Sequence, residues 1–151
     1  MSGGVENVIV DDVHLQNVGQ GLRIKAGLGR GGYVKNIKYN NVNMDNAIDV
    51  AIQANDYYGS RNPSCGNKYA NAVPLLNHLY YNNVTASGGN GIAIDFTGLT
   101  GHGDDGIINH VELNDIDLQA TTGKPSWKCN QVIGKANEDT VLPKPICKEL
   151  L

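Results

Sequence analysis

Two cations alternate with two aliphatic residues in Gly21–Lys25, where Arg23 and Lys25 interleave with Leu22 and Ile24. Successive side chains of an extended strand point to opposite faces, so burying Leu22 and Ile24 projects both cations outward, about 7 Å apart. A cation pair on a rigid strand suits carboxylates, and Arg adds a planar fork for bidentate bonding. The bland counterpart is a solvated basic strand face. Gly101–Gly106 gathers His102, Asp104 and Asp105, residue types that serve acid–base work or metal binding. Two carboxylates adjacent in sequence usually diverge, and no further ligands are evident. The segment therefore reads as a turn before a strand at Ile107, and neither a metal site nor a cofactor is expected.

These side chains need a scaffold, and the sequence repeats itself to supply one. Val8–Leu15, Ile37–Met44, Leu79–Ala86 and Val111–Leu118 superimpose, each a short apolar-polar strand, an Asn/Asp pair and a second short strand. A third strand follows in Gly21–Lys25, Ile48–Ile52 and Gly91–Phe96, again alternating as a half-buried strand does. The equivalent positions Val8, Ile37, Leu79 and Val111 are spaced by 29, 42 and 32 residues. The long interval places an insertion in Tyr57–Val73, rich in Gly, Asn, Ser and Pro, which reads as a surface loop.

A period near 30 without helical periodicity fits an all-β solenoid whose turns stack in parallel, about 4.8 Å apart. The Asn/Asp pairs suit corners between strands, because Asn tolerates left-handed backbone angles and its amide bonds locally. Stacked corners would align these side chains in a ladder. His14, His78 and His110 fall on strands or corners and read as structural, as do Asp11 and Asp12. The competing architecture is an antiparallel β-sandwich. Its favoured Asn-Gly and Asp-Gly hairpin turns occur only at Asn90-Gly91 and Asp105-Gly106.

Composition narrows the function classes. The 151 residues carry 12 basic and 15 acidic side chains, a net charge of −3 that argues against nucleic acid as a partner. No run approaches the roughly 20 apolar residues that span a bilayer, and no signal peptide is evident within the sequence. With 19 Gly and frequent Asn, the chain is poor in helix formers.

Specific segments carry a resemblance. Ser2–Val5, the Arg23-Ile24-Lys25 tripeptide and Gly29–Ile37, with Ala51-Ile52, Tyr58-Gly59, Trp127–Cys129 and Pro143–Leu150, together resemble the C-terminal half of plant-type polygalacturonases, the pectin-cleaving glycoside hydrolases of family 28. The resemblance covers nearly the whole chain. It implies a right-handed, single-stranded parallel β-helix of the pectin-lyase-like kind, about four coils of which fall here. Residues 1–120 would form coils and residues 121–151 a C-terminal cap, in one domain.

The resemblance also implies roles. Arg23, Lys25 and Tyr58 correspond to residues that bind substrate, α-1,4-galacturonan of the cell wall, in an enzyme that hydrolyses it with inversion. The catalytic aspartates and active-site His of the family precede the Ser-Gly-Gly segment, so they are expected upstream of Met1, and the isolated chain is expected to be inactive. The alternatives are a non-catalytic pectin-binding pseudoenzyme and a structural solenoid. Cys129 and Cys147 correspond to a disulfide that would close a loop of about 18 residues and contribute roughly 3 kcal/mol in an oxidising compartment. Cys65 is left over. A secreted, cell-wall location follows for the full-length protein. Asn83-Val84-Thr85 is a glycosylation sequon at a corner position. Absent upstream coils would leave an open strand edge around Val8–Leu15 and favour self-association.

Overall fold

The computed structural model describes residues 3–46, 49–57, 72–88, 92–119, 126–147 and 150. Among these there is no α-helix, and the strands alternate between two parallel sheets along the chain. The first sheet stacks β1 (Gly4–Gln16), β3 (Tyr33–Asp45), β5 (Leu75–Ser87) and β7 (Ile108–Leu118). The second stacks β2 (Gln20–Lys25), β4 (Val50–Asn55), β6 (Ile92–Thr97) and β8 (Ser126–Asn130). Two short strands, β9 (Val132–Ala136) and β10 (Val141–Leu142), both pair with β7. Strands that alternate sheets and pair only in parallel with the next turn are consistent with a parallel β-helix.

The register follows the repeat: Val8 faces Ile37, Ile37 faces Leu79 and Leu79 faces Val111. The paired short strands of the sequence reading, however, are one continuous strand of 13 residues in β1, β3 and β5. The reason is local. A single residue at positive φ swings the chain around a corner while its neighbours on both sides keep their inter-turn bonds. Asp12, Asn41, Asn83 and Asp115, the second member of each pair, have φ of 52–55°. Corners also occur five residues earlier, at Asn7, Asn36, His78 and His110, and five residues later, at Asn17, Asn46 and Gly88. Asn is the side chain that tolerates this conformation best, whereas His78 and His110 add a parallel ring stack with centroids 4.4 Å apart.

The corners form ladders. Asn36 Nδ2 donates to Asn7 Oδ1 (3.1 Å), Asn41 to Asp11 (2.8 Å), Asn83 to Asn41 (2.7 Å) and Asn46 to Asn17 (2.9 Å). The Asn83 amide of the sequon is thus engaged by its neighbouring turn.

Between the sheets lies one apolar column that includes Met44, Ile52, Leu79, Val84, Ile94, Phe96 and Ile116, all buried. Each large aliphatic side chain buried there contributes roughly 1.5–3 kcal/mol. Tyr81 of β5 meets Phe96 of β6 with ring centroids 5.9 Å apart, joining the two sheets. At the far end Cys129 and Cys147 form a disulfide with Cα atoms 5.8 Å apart, and Trp127 Nε1 donates to Pro143 O (2.9 Å). The segment after β10 is thereby fastened to β8. At the other end β1 pairs only with β3 among the described residues, and Val5 and Ile9 are exposed on it.

Candidate functional site

Leu22 and Ile24 are buried in the core, so Arg23 and Lys25 stand on the outer face of β2, Arg23 partly buried and Lys25 exposed. Both cations interact with neighbouring residues. The Arg23 Nε is itself buried and lacks a hydrogen-bond partner. Tyr58 lies outside the described residues, as do Cys65 and residues 58–71 of the insertion.

The neighbours of the two cations differ from the sequence expectation. Matching outward positions on successive coils of the sequence puts Ala51 and Ala93 beside Arg23, and Gln53 and Asp95 beside Lys25. In the structure Arg23 faces Gln53 and, one strand further, Asp95 and then Lys128, while Lys25 faces Asn55, Thr97 and Asn130. The slip is two residues. A two-residue slip leaves every side chain on its own face, so alternation in the sequence cannot detect it. Only the pairing of Leu22, Ile52 and Ile94 in one core row sets the register.

The outcome is a polar network in place of a row of small residues. Asp95 is 4% exposed, and its carboxylate accepts from Gln53 Nε2 (2.8 Å) and from Thr97 Oγ1 (2.6 Å). Lys128 Nζ stands 3.8 Å from Asp95 and 3.4 Å from the Tyr57 hydroxyl, and it lies over the Tyr57 ring at 5.5 Å. Tyr57 follows β4, where its backbone bridges to Gly27 after β2. Its position therefore ties the ends of β2 and β4 to the middle of β8. All six residues of β4 are buried on both faces of the strand. The sequence signal for this network was present in the alternation of Gln53-Ala54-Asn55 and Asp95-Phe96-Thr97, which marks a polar outer row.

Asp56 is the residue that sequence reasoning passed over. It is fully buried, both carboxylate oxygens lack a hydrogen-bond partner, and burial pushes its carboxyl up to about 7. Its own backbone is well held, with N donating to Thr97 O (3.1 Å) and O accepting from Leu28 N (3.1 Å).

Within the segment Gly101–Gly106, Gly103–Gly106 form a single turn of 3₁₀-helix between β6 and β7, closed by Leu99 N donating to Gly106 O (2.8 Å). Asp104 and Asp105 are exposed on it. Among the described residues, no three His, Cys, Asp or Glu side chains converge as a metal site would require. No helix of the described residues is long and apolar enough to cross a membrane.

The chain is 32% identical to a probable polygalacturonase of Vitis vinifera over 151 aligned positions, covering 95% of this chain and 28% of that protein. It is 30% identical to polygalacturonase-2 of Solanum lycopersicum, covering 92% of this chain and 29% of that protein. It is 26% identical to exopolygalacturonase B of Aspergillus niger, covering 95% of this chain and 33% of that protein. The chain thus spans about a third or less of the length of these relatives. No solved structure matches it significantly. The model of glycosyl hydrolases family 28 matches residues 2–138, and with nearly the whole chain inside that match, the protein belongs to glycosyl hydrolases family 28.

Proposed function

We propose that these residues form the substrate-binding wall of a polygalacturonase, in which Arg23, Lys25 and Tyr58 hold uronate carboxylates and a sugar ring of α-1,4-galacturonan in cell-wall pectin. The observation that carries the reading is the placement of Arg23 and Lys25 side by side on the outer face of β2, in a chain of this family. Arg offers a bidentate fork to one carboxylate and Lys a point charge to the next. Family chemistry is single displacement with inversion, which needs an acid and a base roughly 6.5–9.5 Å apart. Asp104 and Asp105 share one exposed turn and are not read as that pair. In this reading the 151 residues bind galacturonan but do not cleave it. The scaffold is read as about four coils of a right-handed parallel β-helix, with coils over residues 1–120 and a cap over 121–151. The partner is a pectic polysaccharide in a secreted, cell-wall setting, with neither nucleic acid nor membrane involved.

Calorimetric titration with trigalacturonate at low ionic strength tests the binding claim. Binding that weakens about tenfold or more in Arg23→Gln supports it; absence of binding by the wild type defeats it and leaves a structural solenoid. Reducing-end release from polygalacturonate by the 151-residue chain, lost in Asp104→Asn or Asp105→Asn, would overturn the assignment of the acid and base elsewhere. The open edge of β1, with Val5 and Ile9 exposed, supports self-association through that edge. A concentration-independent monomer in sedimentation would contradict it.

A further inference from the structure

The outer face of the first sheet carries a groove of about 550 Å³, on the other side of the core from Arg23. Two rows of outward side chains border it. Tyr80 of β5, Glu112 of β7 and Lys135 of β9 stand in register along one side. Asn82, Asn114 and Asn137 form the other, where Asn114 Nδ2 donates to Asn82 Oδ1 (2.9 Å) and Asn137 Nδ2 to Asn114 Oδ1 (3.3 Å). Residues two apart on a strand share a face, so the groove is the interval between the rows. Its floor is strand main chain, including that of Tyr81 and Leu113, whose side chains are buried in the core. A Cβ on Gly134 would collide with the Val111 carbonyl, so glycine lets β9 close onto β7 and brings Lys135 opposite Glu112.

Glu112 and Lys135 are both exposed, and among the described residues no ion pair joins them although they face each other. Their carboxylate and ammonium balance in charge, so the groove has no preference for a polyanion: Glu112 repels a uronate where Lys135 attracts it. Lys38 approaches the Tyr80 ring at 5.6 Å from its centroid, from the strand on the side opposite Glu112. An extended peptide would find no main-chain partner here, because the floor strands already pair with one another.

A neutral groove with an aromatic ring, and with amides that place a donor beside an acceptor, matches a pyranose chain. The C–H face of a sugar packs on a ring, and its vicinal hydroxyls exchange hydrogen bonds with amide and carboxylate. Polar rows on both sides fit a flat ribbon with hydroxyls along both edges, the shape of a β-1,4-linked hexose chain. The volume falls within the roughly 300–1,000 Å³ of small-molecule sites. Three turns span about 10 Å, enough for about two hexose units. We propose that this groove binds an uncharged β-1,4-linked hexose chain, with Tyr80 against a sugar face and Glu112, Lys135 and the amides of Asn82 and Asn114 on its hydroxyl edges. The protein then holds a neutral chain on one sheet, independently of galacturonan on the other.

Calorimetric titration of cellotetraose, with trigalacturonate as comparator, into wild type, Tyr80→Ala, Glu112→Gln and Arg23→Gln tests this site. Cellotetraose should bind the wild type and Arg23→Gln alike, Tyr80→Ala about tenfold more weakly and Glu112→Gln roughly threefold more weakly. Glu112 is exposed, so Glu112→Gln should unfold as the wild type does, and it keeps the test readable if Tyr80→Ala is destabilised. No binding of cellotetraose by the wild type overturns the site and leaves the galacturonan reading standing. Equal affinity in wild type, Tyr80→Ala and Glu112→Gln also overturns it, as does binding lost only in Arg23→Gln, which moves the sugar to the second sheet. Trigalacturonate binding that weakens in Tyr80→Ala but not in Arg23→Gln overturns the neutral-chain assignment. Displacement of cellotetraose by an uncharged extended peptide overturns it as well.

Discussion

The two sheets of this solenoid use polar side chains in opposite ways. On the β1-β3-β5-β7 sheet the corner asparagines and aspartates bond to one another from turn to turn. On the β2-β4-β6-β8 sheet and in the residue directly after β4, the polar residues Gln53, Asn55, Asp56, Asp95 and Thr97 are buried. Several atoms of that second set have no hydrogen-bond partner: Gln53 Oε1, Asn55 Oδ1 and both Asp56 oxygens. A buried polar atom left unpaired costs roughly 1–3 kcal/mol. Among the described residues the first sheet thus bonds its corners from turn to turn and leaves two buried polar atoms unmet, Asn77 Oδ1 and the Tyr81 hydroxyl, while most of the unsatisfied atoms lie on the second sheet around Arg23. That contrast separates scaffold from site, since strain and unmet polarity collect where a surface serves function.

The largest expected effect concerns Asp56. Its carboxyl is raised from 3.8 to about 7 by burial, so the native state keeps a proton that the unfolded chain releases near pH 4. The stability this provides is complete below about pH 4 and is lost as pH rises through about 7. Urea unfolding at pH 4 and pH 8 should show Asp56→Asn gaining on the wild type by on the order of 3 kcal/mol across that interval. An equal pH dependence in the two proteins would remove Asp56 from the contrast.

Next comes Asp95→Ala, which leaves the Gln53 amide and the Thr97 hydroxyl buried without their acceptor. A loss of roughly 3 kcal/mol is expected by chemical denaturation. A loss below about 1 kcal/mol would mean that water replaces the carboxylate, and that this face is more open than its burial suggests.

On the scaffold side, Asn41 both adopts φ 53° and bridges two ladder bonds, to Asp11 and from Asn83. Asn41→Ala should cost about 2 kcal/mol, and Asn41→Gly about half of that, because glycine restores the backbone but not the ladder. Equal losses in the two variants would assign the whole effect to hydrogen bonding. The smallest stability change is expected of Ile9→Lys on exposed β1, within about 0.5 kcal/mol. Its readout is association, since a charge on an open edge discourages strand pairing. Sedimentation should find this variant less associated than the wild type.

Much of the architecture was legible before any coordinates. The repeat at Val8, Ile37, Leu79 and Val111 set the register of the larger sheet, because apolar alternation and corner asparagines recur together in each turn. The outward placement of Arg23 and Lys25 was legible for the same reason, a period of two with Leu22 and Ile24 beneath. What stood beside those cations was not. Slips of two residues are invisible to alternation, and only core packing of Leu22, Ile52 and Ile94 brings Gln53 and Asp95 next to Arg23. The burial of Asp56 and the alignment of Tyr80, Glu112 and Lys135 along one groove were likewise decided in three dimensions. Local sequence determines which way a side chain points from its own strand. Which neighbours it meets, and how much water reaches them, depends on turns stacked about 30 or more residues apart, and that is settled only when the whole coil closes.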